Sequence, residues 1–327
     1  MLEENKERPT VSVIIPTYNR AHSIVSAIQS VLNQTYQGFE IIVVDDGSTD
    51  NTKEIMREIQ TQDKRIRYIG YEKNKGAPTA RNTGIKASRC DYIAFQDSDD
   101  EWSPEKLEKQ MKAFESASPK VGVVYTGFYR LGKRKTYMPS IRRKKTQREG
   151  DIFSSLLEGN LVGTPTILIK RECFERAGLF DENLTALQDW ELVIRISKYY
   201  DFIFVDEPLL ISPDTPDSIS ANRKARARAL ELILEKHFED FKKDKKSLSK
   251  HKKSLSKHYY RIGISLCSDE DPITNRKYLL KAIKISPFNI KILFFVLLTF
   301  LGQDNFKKSI IFYLKIRERG FLVFNRK

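Results

Sequence analysis

An α/β fold, a parallel sheet with helices on both faces, is what the sequence predicts, and three observations carry that prediction. Strand-like and helix-like segments alternate through the first hundred residues, and the strand-like ones are continuous apolar runs rather than alternating ones. Continuous runs belong to strands buried on both faces. Two of these runs also end in acidic turns, Asp45-Asp46 and Asp97-Ser98-Asp99-Asp100. In open parallel sheets, ligands bind beyond the carboxyl ends of the strands, which makes these acids candidates for function.

Residues 11–15 form a β-branched run stopped by Pro16, as expected of a buried parallel strand. Ile24, Ile28 and Val31 with Leu32 then recur at helical spacing. Residues 41–44 predict a second strand, stopped by Asp45-Asp46-Gly47-Ser48; Ile55 and Ile59 mark the next helix, and residues 67–69 a short third strand. Residues 81–87 read as a helix, and residues 92–95 as the strand that leads into Gln96 and the second acidic turn. Ser103 before Pro104 has the form of an N-cap followed by proline at the first helical position, and Leu107, Met111 and Phe114 continue one apolar face. Residues 121–125 and 166–169 predict strands on either side of a mobile basic loop with Lys133, Arg134, Lys135, Arg142, Arg143, Lys144, Lys145 and Arg148. Residues 190–196 predict a helix and 202–205 a late strand.

The chain has 327 residues, 40% of them apolar and 31% charged, enough for a substantial core and against wholesale disorder. Its net charge of +14 is unevenly placed: residues 1–220 carry −2 and residues 221–327 carry +16. A basic tail suits an anionic bilayer or nucleic acid, or is simply a solvated helical face. It lacks aromatic residues interleaved with the lysines, the pattern for single-stranded nucleic acid, so no nucleic-acid partner is expected. Three cysteines, Cys90, Cys173 and Cys267, share no metal-type spacing, and their odd number closes no disulfide framework. The first ten residues carry no apolar signal stretch, and the longest apolar run, residues 292–301, falls short of the roughly 20 needed to span a membrane. The expected location is cytoplasmic, with peripheral attachment to the membrane through the tail.

Three parts are expected: an α/β domain over residues 1–220, a basic helical linker over 221–258, and a small helical region over 259–327. Ala225, Ala229, Leu232 and Ile233 form an apolar stripe in the linker, and residues 245–258 are a tandem repeat of KKSLSKH that spaces Leu248, Leu255 and Ile262 by seven. This fits one basic amphipathic helix, and equally a low-complexity expansion. Tyr259, Ile262, Gly263, Leu266, Asn275, Leu279, Ala282 and Pro287 match the spacing of one tetratricopeptide-like helical hairpin. Residues 292–301 would then be its buried centre or a surface that lies on a membrane.

Two groups of carboxylates at strand ends repel each other unless a cation intervenes. A divalent ion suits them, because hard ions take carboxylate oxygens and leave positions for phosphate. Acidic clusters also occur in solvated turns, and Ser48 or Asp50 as helix caps would account for part of the first motif. Gly47 lets backbone approach closely or adopt positive φ. Neither GxGxxG nor GxxxxGK[ST] occurs, which excludes a dinucleotide fingerprint and a P-loop.

The order of motifs over residues 10–220 resembles the inverting family 2 nucleotide-sugar glycosyltransferases of GT-A fold. Its marks are residues 11–20 (VSVIIPTYNR), 44–50 (VDDGSTD), Asn74, Gly76, 80–84 (ARNTG), 96–102 (QDSDDEW), 163–165 (GTP), 178–182 (GLFDE) and 188–192 (QDWEL). The resemblance implies a mixed, mostly parallel sheet flanked by helices. It implies that Pro16, Thr17, Tyr18 and Asp46 form the floor under the nucleotide, and that Arg81 contacts pyrophosphate or base. Asp97 with Ser98 would hold the ribose or sugar. Asp99 and Asp100, with Asp97 as the further candidate, would hold Mn²⁺ or Mg²⁺. Asp189 is implied as general base. Glu101, Trp102, Gly163, Thr164, Pro165, Gln188 and Trp190 would shape the sugar and acceptor pocket.

Two departures from the family stand out. Gln188 occupies the position before the base where the family commonly has Glu, and Leu210-Ile211-Ser212-Pro213-Asp214 replaces a Tyr-Arg and nearby His. Contacts from that closing segment would fall to Asp214, Asp217, Ser218 or Ser220. The Gln-x-x-Arg-Trp signature of processive relatives is missing, so one sugar per encounter is expected. The implied function is transfer of a hexose or N-acetylhexosamine from a nucleotide sugar, UDP-linked by preference, to a glycan or lipid-linked acceptor. The alternative is an inactive scaffold that keeps the fold and binds partners through its tail.

Overall fold

The computed structural model describes residues 9–132, 135–138, 145–213, 222–243, 248–265, 272–300, 302, 305–306 and 308–309. Asp214, Asp217, Ser218, Ser220, Lys133, Arg134, Arg142, Arg143, Lys144, Leu266 and Cys267 lie outside the described residues. The chain divides into two compact units, Met1–Ser218 and Ile219–Lys327.

The first unit runs β1 (Val11–Thr17), α1 (Ile24–Leu32), β2 (Phe39–Asp45), α2 (Thr52–Gln62), β3 (Ile66–Gly70), α3 (Ala77–Ala87) and β4 (Tyr92–Phe95). It continues through β5 (Glu101–Trp102), α4 (Lys106–Glu115), β6 (Val121–Leu131), β7 (Lys135–Met138), α5 (Phe153–Glu158), β8 (Ile167–Lys170), α6 (Glu172–Ala177), α7 (Gln188–Ile196) and β9 (Asp201–Pro213). Among the described residues the strands make one mixed sheet in the order β3-β2-β1-β4-β8-β6-β9-β5, with β7 on the second half of β6. The β3-β2-β1-β4 half is wholly parallel. β8 turns antiparallel to both β4 and β6, while β6 and β9 run parallel.

Burial on both faces explains the continuous apolar runs. Ile41 and Val43 of β2 join a core with Ile24, Ile28 and Val31 of α1 and Leu107 and Phe114 of α4. Their neighbours Ile42 and Val44 point the other way, against Ala80 of α3. α3 lies close on β1, because a Cβ at Gly84 would sit 2.4 Å from Cγ2 of Ile14. That contact seats the helix carrying Arg81 directly on the sheet.

Three local expectations are corrected. α3 starts four residues before Arg81, with Gly76 at its N-cap and Pro78 in its first turn, the proline-near-the-start arrangement. α4 begins at Lys106, not at Pro104; the Ser103 carbonyl accepts from the Lys106 N–H at 3.1 Å and from Gln34 Nε2 at 2.8 Å, so a turn precedes the helix. The basic stretch is in part ordered structure. Lys135 opens β7, and Arg148 is buried, pairing with Asp206 at 3.0 Å and stacking on Phe204. A guanidinium over an aromatic face with a carboxylate at its end is held, not solvated.

The second unit comprises α8 (Arg223–Lys236), α9 (Phe238–Lys243), α10 (Leu248–Ser265), α11 (Pro272–Ile285) and α12 (Ile290–Leu298). α10 continues from the tandem repeat into the predicted hairpin, burying Leu255 and Ile262. α10 and α11 approach tightly at Gly263, where a Cβ would lie 2.9 Å from Leu279 Cγ. Leu279, Ala282, Ile292, Phe295, Val296, Leu298 and Phe306 form the core of this unit.

Candidate active site

Register alone gathers the motifs of the first unit at one edge. β1 pairs with β2 so that Thr17 lies opposite Asp45, and with β4 so that Ile14 lies opposite Phe95. The Gln96 N–H then donates to the Ile14 carbonyl at 3.0 Å, and the Asp46 N–H to the Thr17 carbonyl at 2.8 Å. Parallel pairing therefore puts Pro16-Thr17-Tyr18, Asp46 and Asp97 at the carboxyl ends of three adjacent strands. β8 runs antiparallel to β4 with Leu168 opposite Ala94, which sets the preceding Gly163-Thr164-Pro165 turn beside the end of β4.

Asp46 is buried, and its two oxygens accept from the Lys75 and Gly76 N–H groups at 2.7 and 2.8 Å. Burial pushes its carboxyl above the usual range, with the neighbouring Asp45 adding to the push and the two backbone donors opposing it. Gly47 makes this geometry attainable. Its φ is +80°, and a Cβ there would lie 2.7 Å from the Lys73 carbonyl carbon and 2.8 Å from the Asn74 nitrogen. Asn19, also at positive φ, braces the β1 end: its N–H donates to Ser48 Oγ at 2.8 Å and its Oδ1 accepts from the Thr49 N–H at 2.8 Å. Ser48 braces the loop through the Asn19 N–H, whereas Asp50 accepts both from the Ala21 N–H at 3.1 Å and from the Thr52 N–H at the start of α2 at 3.0 Å; Asn51 at the N-cap makes no side-chain bond.

Around β4, Arg81 donates through Nη2 to Asp97 Oδ1 at 2.8 Å. Arg20 faces Asp99 at 3.8 Å. Asp100 is buried, and its carboxyl is held well above the usual range, first by burial and then by the adjacent Asp97 and Asp99; a hydrogen bond from Ser212 and the charge of Arg130 act the other way. Ser98 is buried in the same turn, while Glu101 is exposed on β5.

Asp189 is the second residue of α7, which starts from an unusual backbone: its N-cap Leu187 has φ +58°. A branched non-glycine residue there is strained, and such strain concentrates at functional sites. The half-buried Asp189 carboxylate accepts from Asn160 Nδ2 at 3.0 Å and from the Trp190 N–H at 2.7 Å. Burial raises its pKa from the ordinary 3.8; those two donors and the Arg81 charge lower it, and the Asp97 charge raises it. Asp189 therefore lies within Coulombic reach of the Arg81–Asp97 pair. The loop before α7 is tied to α3 by Asn82, whose side chain donates to the Phe180 carbonyl at 3.0 Å and to Glu182 at 2.8 Å and accepts from the Phe180 N–H at 2.9 Å. Behind it, the buried Glu191 pairs with the partly exposed Arg195, whose Nη2 donates to the Leu179 carbonyl and fixes the same loop.

The structure thus brings together Thr17, Asp46, Arg81, the residues 97–100 turn and Asp189. Trp190 and Trp102 do not face that edge as open surfaces. Trp190 is buried with its indole N–H on the Leu156 carbonyl, and Trp102 belongs to the core with Lys106 Nζ 3.7 Å from its ring centre. Asn160, Ser212 and Arg130 were beyond sequence reasoning. Each is an ordinary residue in its local pattern, and only the tertiary fold joins them to Asp189 and Asp100.

Thr17 Oγ1, Arg81 Nε and Gln188 Nε2 are buried and have no hydrogen-bond partner among the described residues. Buried polar atoms ordinarily are paired, so these three are suited to a polar ligand. Among the described residues there is no group of three His, Cys, Asp or Glu side chains placed to hold an ion alone. The residues still fit Mg²⁺ or Mn²⁺, since such an ion needs only one or two carboxylates when substrate phosphates supply the rest, and the residues 97–100 turn offers hard oxygen donors whose mutual repulsion a cation relieves.

Comparison with known proteins agrees with this architecture. The chain is 39% identical over 187 residues to an uncharacterized glycosyltransferase of Rickettsia bellii, a match covering 57% of this chain and 26% of that protein. Among solved structures, S. aureus TarS 1-349 in complex with UDP-GlcNAc aligns over 94% of this chain and 92% of its own, with TM-score 0.59 and 17% identity. The mannosyltransferase PcManGT from Pyrobaculum calidifontis, in complex with GDP-Man and Mn²⁺, aligns over 93% and 87% with TM-score 0.56 and 19% identity. At those identities the likeness is one of fold. The model of the family described as glycosyl transferase family 2 matches residues 12–177, just over half of the chain, and spans the strand-end motifs from β1 through α6; on that match the chain belongs to glycosyl transferase family 2.

Proposed function

We propose that the chain moves one hexose or N-acetylhexosamine per encounter from a nucleotide sugar, UDP-linked by preference, to a hydroxyl of a glycan or lipid-linked acceptor, with inversion. The observation that supports it is the convergence of Asp46, the Arg81–Asp97 pair and Asp189 on one edge of the sheet. In this reading Thr17, Tyr18 and Asp46 receive the nucleoside, and Arg81 meets its diphosphate. Asp189 takes the acceptor hydroxyl's proton as that oxygen bonds to the anomeric carbon from the face opposite the nucleotide. The bond from that carbon to the diphosphate breaks, and the diphosphate leaves with the electron pair. A Mn²⁺ or Mg²⁺ ion held by Asp99 and Asp100, or by Asp97, would neutralise charge on the diphosphate. The basic C-terminal part is the portion suited to hold the enzyme at an anionic membrane surface.

The donor is tested with a panel of nucleotide sugars that includes UDP-GlcNAc and GDP-mannose, the ligands seen in the two structures of similar fold. One uridine-linked sugar is expected to raise the melting temperature and to be hydrolysed with Mn²⁺, and chelation is expected to abolish turnover. No shift or turnover with any nucleotide sugar would contradict the reading.

The raised pKa of Asp189 makes a second check. A general base must be ionised, so kcat/KM should fall as pH drops through a value above the ordinary 3.8. The sign for stability is opposite to that of a typical aspartate. Between 3.8 and its raised folded value, Asp189 binds more proton folded than unfolded, so its contribution to stability falls as pH rises through that window. Asp189→Asn should remove this slope and leave the protein at least as stable at neutral pH. A loss of stability at neutral pH would show that the carboxylate serves the fold.

A further inference from the structure

We propose that the outer face of α12, with the basic face of α11 beside it, is a docking surface for an anionic phospholipid bilayer. This rests on the membrane part of the reading above and is independent of its chemistry. α12 is apolar except for Lys291, and only one side is used internally: Ile292, Phe295, Val296 and Leu298 are buried. Ile290, Leu293, Phe294, Leu297 and Phe300 recur at helical spacing on the other side, where Ile290 is 82% exposed, Phe294 52%, Leu297 58% and Phe300 63%. Phe288, in the turn before the helix, is 96% exposed. Scattered exposed apolar residues are ordinary; a continuous face of this size marks an interaction site.

Charge selects the occupant. Arg276 of α11 stacks on Phe300, 3.9 Å from its ring centre, and is fixed by bonds to Thr299. From there Arg276, Lys277, Lys281 and Lys284, with Leu280, line a groove of about 430 Å³. An apolar strip bordered by lysine and arginine is the pattern of a helix lying in the plane of a bilayer interface, with its cations among lipid phosphates. Among the described residues no helix is long and apolar enough to cross a membrane, so this face would lie on the bilayer. Other occupants fit less well. A second copy would bring the same basic face, from a region carrying +16, and residues 310–327 of this chain are themselves net +4.

The test floats the chain, residues 1–327, with vesicles of phosphatidylcholine alone, or containing about 30% phosphatidylglycerol, at about 0.1 M salt. Binding is expected only to the anionic vesicles. Phe294→Glu with Leu297→Glu, both at exposed positions, should keep the wild-type melting temperature and lower vesicle affinity at least about tenfold. Lys277→Gln with Lys281→Gln should lower it several-fold and flatten its salt dependence. Equal binding by the Phe294/Leu297 variant, equal binding to neutral vesicles, or a dimer that this variant dissociates without any vesicle binding would overturn the proposal. Donor hydrolysis is measured without vesicles in the same preparations. Hydrolysis without flotation overturns the docking surface alone, whereas flotation without hydrolysis supports the surface and counts against the chemistry.

Discussion

Asp189→Asn is expected to lower kcat about a thousandfold while donor affinity stays within about twofold, because the loss is confined to proton transfer. Asparagine keeps the shape, and its one carbonyl oxygen can still accept from the Trp190 N–H, while its amide nitrogen replaces the oxygen that takes Asn160 Nδ2; the helix start and the strained Leu187 cap should persist with the Asn160 bond lost. What disappears is the carboxylate that sits within the field of Arg81 and Asp97. Isothermal titration with the donor separates binding from turnover. Loss of donor affinity in parallel with kcat would mean that Asp189 holds the nucleotide sugar instead of activating the acceptor.

Gly47→Ala is expected to have the largest effect on stability, about 3 kcal/mol, or roughly 5–10 °C in melting temperature. Two costs add. The residue sits at φ +80°, and its new Cβ would meet backbone atoms of Lys73 and Asn74 at 2.7–3.0 Å, which cannot swing aside as a flexible side chain can. Relief requires the 73–76 segment to move, and the two backbone donors to Asp46 move with it, so donor affinity should fall at least about tenfold. Gly150 supplies the control. It has φ +72° with nothing within 4 Å of its would-be Cβ, so Gly150→Ala should cost only about 1 kcal/mol. Equal costs for the two substitutions would remove the close approach from the account.

The half of the fold that carries the motifs was legible because its physics is local. A strand buried on both faces is apolar except where a buried polar side chain finds a partner; residues 13–15, 41–44 and 92–95 are apolar, and the buried Ser12 donates to Glu40 Oε1 at 2.7 Å. Once those strands are parallel neighbours, Asp46 and Asp97 have to emerge together. The other half was less readable. β6 and β9 extend well past their predicted ends, to Leu131 and Pro213, through partly exposed residues whose pairing depends on a partner distant in sequence. Arg148 reads as loop charge and is buried on Phe204, because an arginine's long stem and flat head can be covered while its charge is paired. The motif around Asp189 shows the same division. Its residues could be named from their resemblance to a family, yet its partner Asn160 carries no local signal, nor does Ser212 beside Asp100, since a side chain that bonds across the fold looks like any other polar residue. Trp190 was an expected pocket residue, and its indole N–H is committed to Leu156.

The most direct measurement of the central claim is a crystal structure of the Asp189→Asn protein with Mn²⁺ and the donor that the panel identifies. The nucleoside is expected along Thr17, Tyr18 and Asp46, the diphosphate between Arg81 and the residues 97–100 turn, and the anomeric carbon open on the side of residue 189. A nucleotide sugar seated away from the ends of β1, β2 and β4, or one whose anomeric carbon is turned from residue 189, would contradict that claim.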